Sequence, residues 1–137
     1  MKKNKNNIQF RIPKYIHEEM LKDLNREHYF AYERVGFLFT KIVYLSAQDV
    51  LIVATEYNEV QDDHYIRDKS VGAKINSSAI RKARQGVLDK DVGCFHVHLH
   101  NHFGKPYPSF TDTESLPEIS NSFLNIAPKQ ANGFLIL

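Results

Sequence analysis

The sequence predicts an α+β fold, a mixed α/β sandwich, on three observations. Short runs with strand-like alternation or β-branched composition recur along the chain. Two segments carry apolar residues at helical spacing. The β–α alternations are too few for a doubly wound sheet. With 137 residues the chain fits one domain, large enough to bury a usable core without disulfide or metal staples.

The first strand is expected at Ile8–Ile12, where Ile-Gln-Phe-Arg-Ile alternates before Pro13. A helix follows over about Pro13–His28, with Ile16, Met20, Leu21 and Leu24 on one face and Pro13 suited to its first turn. Val35–Tyr44 and Val50–Thr55 read as two strands of a hairpin joined through Leu45–Asp49. Asn58–Ser70 is polar and reads as a loop with a short strand at Tyr65 and Ile66. Asn76, Ser77 and Ser78 are candidate N-caps for a helix carrying Ala79, Ile80, Ala83 and Val87, and Gly86 should weaken its last turn. Asp91–His98 is the next strand. A loop with Gly104, Pro106 and Pro108 leads to Thr111-Asp112-Thr113-Glu114, whose capping-box spacing starts a helical turn limited or restarted by Pro117. Gly133–Leu137 is a final apolar strand.

Composition excludes several classes. The formal net charge is +2, and Lys2, Lys3 and Lys5 supply much of the basic excess. Residues 1–7 read as a disordered basic leader, with the domain proper spanning 8–137. Without that leader the chain is near neutral, so no nucleic-acid footprint is expected. The single cysteine, Cys94, allows no intramolecular disulfide and fits a reducing compartment. No apolar run approaches the ~20 residues of a membrane span, and no apolar stretch follows the basic leader as in a signal peptide. A cytoplasmic protein without membrane partners is expected.

Four of the seven histidines fall in one alternating run, Cys94-Phe95-His96-Val97-His98-Leu99-His100-Asn101-His102. In an extended chain every second side chain shares a face. Several imidazoles therefore leave one face, and Phe95, Val97 and Leu99 the other. A lone strand histidine is usually a satisfied core or surface residue. Four at period 2 bring like charges together when protonated and offer few apolar contacts, and a metal accounts for them better. Two His ligands need a third protein ligand and an open position. Asp112 is the natural third ligand, with Ser109 three residues before it. Zinc so held would keep a water whose pKa falls toward ~7.

At these residues the sequence resembles the JAB/MPN (JAMM) zinc metalloprotease family, in its prokaryotic type. The family signature is a distant Glu, then His-x-His, a short spacer and Ser-x-x-Asp. Here His98-Leu99-His100 is followed by eight residues and Ser109-Phe110-Thr111-Asp112, and the distant Glu is Glu33 in Glu33-Arg34-Val35-Gly36-Phe37-Leu38. The spacer is one residue longer than usual. The pair His96/His98 would leave ten residues and His100/His102 six, so His98/His100 is the nearest register. Strand alternation alone leaves open whether His96 or His102 replaces one of them. Asn101 stands where the family often has Pro. The chain stops at Leu137 where the family continues, compatible with a C-terminally truncated domain.

The resemblance implies a JAB/MPN-like, cytidine-deaminase-like fold, a central β-sheet flanked by helices. It implies Zn2+ held by His98, His100 and Asp112, with Glu33 as general base then acid and Ser109 as oxyanion donor. His96 and His102 would support the ligands or order the loop. The implied activity is hydrolysis after the C-terminal Gly of ubiquitin or a ubiquitin-like protein, whose extended tail could add as a strand beside the site. An adenylating-enzyme domain, fused or associated, is a further implied partner. Glu33 alone would read as a solvated residue before a strand, and Ser109 alone as a turn cap.

Two rivals stand beside this reading. His96-Val97-His98-Leu99-His100 also resembles the histidine-triad nucleotide hydrolases, although Asn101 and His102 occupy positions that family keeps apolar. The other is a non-catalytic MPN-like interaction module. A nucleophilic Cys94 beside His96 lacks an orienting third group, and a buried strand cysteine is the ordinary case. His17, His28 and His64 read as surface residues, and Asp62-Asp63-His64 as a solvated turn.

Overall fold

Strand β1 (Asn7–Arg11) stops just before Pro13, which has no N–H to continue a ladder. The computed structural model describes residues 6–27, 33–67, 74–99, 119 and 121–137. Pro13 is the N-cap of helix α1 (Lys14–Leu24), one position ahead of the expected first turn. Helix α1 ends short of its expected limit, where the Asn25 side-chain Nδ2 joins the backbone N–H of the same residue in donating to the Leu21 carbonyl (2.8 and 3.1 Å) and caps the last turn. Strands β2 (Val35–Tyr44) and β3 (Asp49–Glu59) form the expected hairpin. A 3-10 turn (Asp62–His64) leads toward helix α2 (Ser77–Lys90), then β4 (Gly93–His98), a helical segment α3 over residues 121–126, and β5 (Gly133–Ile136).

The described residues thus form a mixed α/β fold around a five-stranded mixed sheet in the order β1-β3-β2-β4-β5. The outer pairs, β1–β3 and β4–β5, are parallel, and the inner pairs are antiparallel. Helices cover both faces. On one, Ile16, Met20 and Leu24 of α1 pack on Leu38, Ala54, Tyr57 and Val97. On the other, Ala79, Ala83 and Val87 of α2 and Phe123 of α3 pack on Val35, Phe37, Phe39 and Cys94. Both main helices therefore bury an i, i+4, i+8 stripe. Full burial of a side chain such as Leu38 or Phe123 contributes about 1.5–3 kcal/mol.

Three details differ from the sequence expectation. Strand β3 runs past Thr55 to Glu59 because its polar residues have places in the sheet. Glu56 faces α2 and pairs with Lys90, while Tyr57 is buried on the α1 side. A register shift at Phe39/Thr40 leaves Thr55 as the extra residue, its hydroxyl donating to the Phe39 carbonyl (3.3 Å). Tyr65 sits in an isolated bridge with Ile75 and is buried. Gly86 has a packing role: a Cβ there would lie 2.8 Å from the Phe39 ring, so its absence lets α2 settle on the sheet. Of the candidate caps, Asn76 is the one used, accepting from the Ala79 amide (3.0 Å). The helical turn expected at Thr111–Glu114 lies outside the described residues. Among the described residues no helix is long and apolar enough to cross a membrane.

Candidate functional site

Strand alternation in β4 sorts the described part of the histidine run, His96 and His98, as expected. Phe95 and Val97 pack with the α1-side cluster, with Leu99 just past the strand end. His96 and His98 lie on the opposite face with Cys94. Their rings are 5.7 Å apart between centroids and tilted by 65°. Both are buried, His96 at 6% and His98 at 1% exposure. His96 meets the Phe37 ring edge-on at 5.8 Å, and Phe37 in turn meets Phe123 at 5.7 Å. His96 is therefore enclosed by aromatic core, and His98 is the last residue of the strand.

Val35, the first residue of β2, is the direct partner of His98. On its other side β3 has already ended, with Glu59 opposite Gly36. The Tyr65 hydroxyl takes the place of the missing strand. It accepts from the Val35 N–H (2.9 Å) and donates to the Val35 carbonyl (3.2 Å). Because Val35 turns both backbone groups to Tyr65, its pairing with His98 is of the non-hydrogen-bonded kind, where facing Cα atoms approach to about 4.5 Å. The His98 carbonyl correspondingly accepts from Leu137 on the β5 side (3.0 Å). Glu33, two residues before Val35, is half-buried at this same end of the sheet.

Between them Arg34 is buried. Its guanidinium donates to the carbonyls of Arg26 (2.9 Å) and Glu27 (2.7 Å), beyond the end of α1, and to Asp62 Oδ1 (2.6 Å). Next to it, Asp23 is buried and accepts from Arg26 (2.5 Å) and from the Tyr57 hydroxyl (2.5 Å). The bond to Asp23 raises the Arg26 guanidinium further above its ordinary value. Burial, reinforced by the Asp23 carboxylate, raises the Tyr57 phenol well above its ordinary value. Burial likewise pushes Tyr65 up to about 12. Gly36 completes the arrangement, since a Cβ there would lie 2.1 Å from the Tyr57 hydroxyl. In the sequence Arg34 reads as a charge beside an apolar strand, Asp62 as part of a solvated turn and Tyr65 as a short strand within a polar loop, with nothing to join the three.

Of the expected site residues, the structure brings Glu33 and His98 to one end of the sheet. His100, Ser109 and Asp112 lie outside the described residues, as does His102. Among the described residues no three His, Cys, Asp or Glu side chains come together as a metal-binding group. Cys94 is fully buried, and burial raises its thiol well above the ordinary value, the opposite of what a nucleophile needs. His17 is exposed as expected, whereas His64 is half-buried and lines a groove of about 530 Å³ between α2 and β3. Phe37 and Phe39 also line that groove, so one ring, Phe37, touches both the groove and His96. No protein-family model matches the chain, and no curated protein matches it in sequence.

Proposed function

We propose that this chain is a zinc-dependent isopeptidase with a JAB/MPN-like fold, acting on the bond after the C-terminal Gly of a ubiquitin-like protein or peptide. The observation that carries this reading is the pairing of Val35 with His98, which sets the backbone leading from Glu33 beside the end of the histidine strand. A five-stranded mixed sheet with helices on both faces is compatible with it.

The residues fit the metal in chemistry. Of the proposed ligands the described one, His98, is the last residue of β4, and neutral imidazole is a common zinc ligand. His98, His100 and Asp112 would hold the ion. His96, enclosed against Phe37, is better suited to supporting His98 than to ligation. Bound zinc would supply Lewis acidity, polarising the scissile carbonyl and easing deprotonation of water at neutral pH. Glu33 takes the proton from the attacking water and delivers it to the leaving amine. Ser109 donates a hydrogen bond to the oxyanion. An extended Gly-ending tail would enter as an added strand.

The test is metal content by mass spectrometry, followed by cleavage of a fluorogenic peptide amide ending in Gly-Gly. Near one zinc per chain is expected, lost in His98→Ala, His100→Ala and Asp112→Ala and kept in His96→Ala. Glu33→Gln should keep zinc and lose cleavage by about a hundredfold or more. A fully active Glu33→Gln protein would sink the mechanism. Absence of zinc uptake, together with nucleotide hydrolysis in the presence of chelator, would move the assignment to a histidine-triad-type hydrolase. Absence of both activities would leave a non-catalytic interaction module.

A further inference from the structure

We propose that Arg34, Asp62 and Tyr65 form a positioning clamp that fixes the backbone bearing Glu33. This inference rests on the reading of Glu33 as the proton carrier. Three separate segments meet at the start of β2: the residues after α1, the first residues of β2, and the 3-10 turn after β3. Two buried side chains join them. The Arg34 fork spans the first and third segments, reaching the Arg26 and Glu27 carbonyls and Asp62. The Tyr65 hydroxyl holds both backbone groups of Val35, where β3 no longer runs alongside. Glu33 is adjacent in sequence to Arg34 and two residues from Val35, so both anchors bear directly on its backbone.

The chemistry argues for a geometric role. The Arg34 side chain is 2% exposed, and its carboxylate partner Asp62 is 53% exposed. Burying a guanidinium against a half-exposed partner gains little stability over an apolar residue of similar size. What the planar fork supplies is direction, since its donors can meet three fixed acceptors in only one orientation. A proton carrier needs such fixing, because a displacement of about 1 Å can cost about a hundredfold in rate.

The experiment uses the full chain with Asp62→Ala and Asp62→Asn. Asp62 is half exposed, so neither variant removes a buried apolar side chain, and the thermal midpoint reads what the uncompensated Arg34 charge costs in Asp62→Ala. Four quantities are measured: zinc content, thermal midpoint, kcat and KM on the Gly-Gly peptide amide, and hydrogen exchange of residues 33–36. In Asp62→Ala we expect retained zinc, KM within about twofold, kcat lowered about tenfold or more, and exchange accelerated about tenfold. Asp62→Asn, which still offers Arg34 an acceptor, should restore kcat to within about threefold of wild type. An unchanged kcat in Asp62→Ala, or a loss that Asp62→Asn does not restore, would overturn the clamp. If the wild type neither takes up zinc nor cleaves the peptide, the proposed activity fails. Exchange then decides the clamp alone, and unchanged exchange in Asp62→Ala overturns it.

Discussion

Val35 faces His98 across the β2–β4 pairing while the Tyr65 hydroxyl holds both of Val35's backbone groups from the other side. The start of β2 is thereby flanked on both sides, by the end of β4 and by the phenol. The phenol does the work of a strand that has already ended.

That arrangement has a signature at high pH. Tyr65 is pushed up to about 12 by burial, and Tyr57 is raised by burial and by its bond to Asp23. In the unfolded chain both ionise near ~10. Between about pH 10 and 12 the native state holds protons that the unfolded state has lost, so stability falls as pH rises. Below pH 10 the contribution is fully present. Urea midpoints measured from pH 8 to 11 should fall above pH 10, and less steeply in Tyr65→Phe. Absorbance near 295 nm should show Tyr57 and Tyr65 resisting ionisation until the fold opens.

Gly36→Ala should destabilise by about 1–3 kcal/mol in urea unfolding. The new Cβ would meet the Tyr57 hydroxyl at 2.1 Å and ring carbons at 2.5 Å. Tyr57 is held by Asp23 and cannot swing aside freely. Because ring carbons clash as well as the hydroxyl, adding Tyr57→Phe should bring no recovery.

At Gly86 two effects oppose. Alanine gains about 1 kcal/mol of helix propensity, but its Cβ would press on the Phe39 ring at 2.8 Å. Phe39 is buried and leaves the ring little room. Gly86→Ala should therefore be net destabilising in wild type, by about 1 kcal/mol. In a Phe39→Leu background the same change should become stabilising, which a double-mutant cycle reads directly.

The Cys94 thiol should not react with Ellman's reagent in the native protein at pH 8. Its burial and raised pKa disfavour the thiolate. One thiol per chain should appear on adding denaturant, and Cys94→Ala should retain whatever hydrolase activity the wild type has. A loss of activity without unfolding in that variant would return the cysteine to the candidate site.

By itself the sequence determined the chain order of the five strands and the two main helices, and the two faces of the described histidine strand. Both follow from local periodicity: two residues per strand repeat separate His96 and His98 from Phe95 and Val97, whatever the strand packs against. Only the tertiary structure decided the partners. A buried arginine at position 34, an Asp62 that meets it from 28 residues away, and a phenol that stands in for a strand are contacts between distant segments. Nothing in the composition of a polar turn announces them. The end of β3 shows the same limit, because the strand pattern stops at Thr55 and Glu56 enters the sheet only with Lys90 of α2 opposite it. Polar residues enter a sheet when tertiary packing supplies their partners, and that supply is not written in the segment itself.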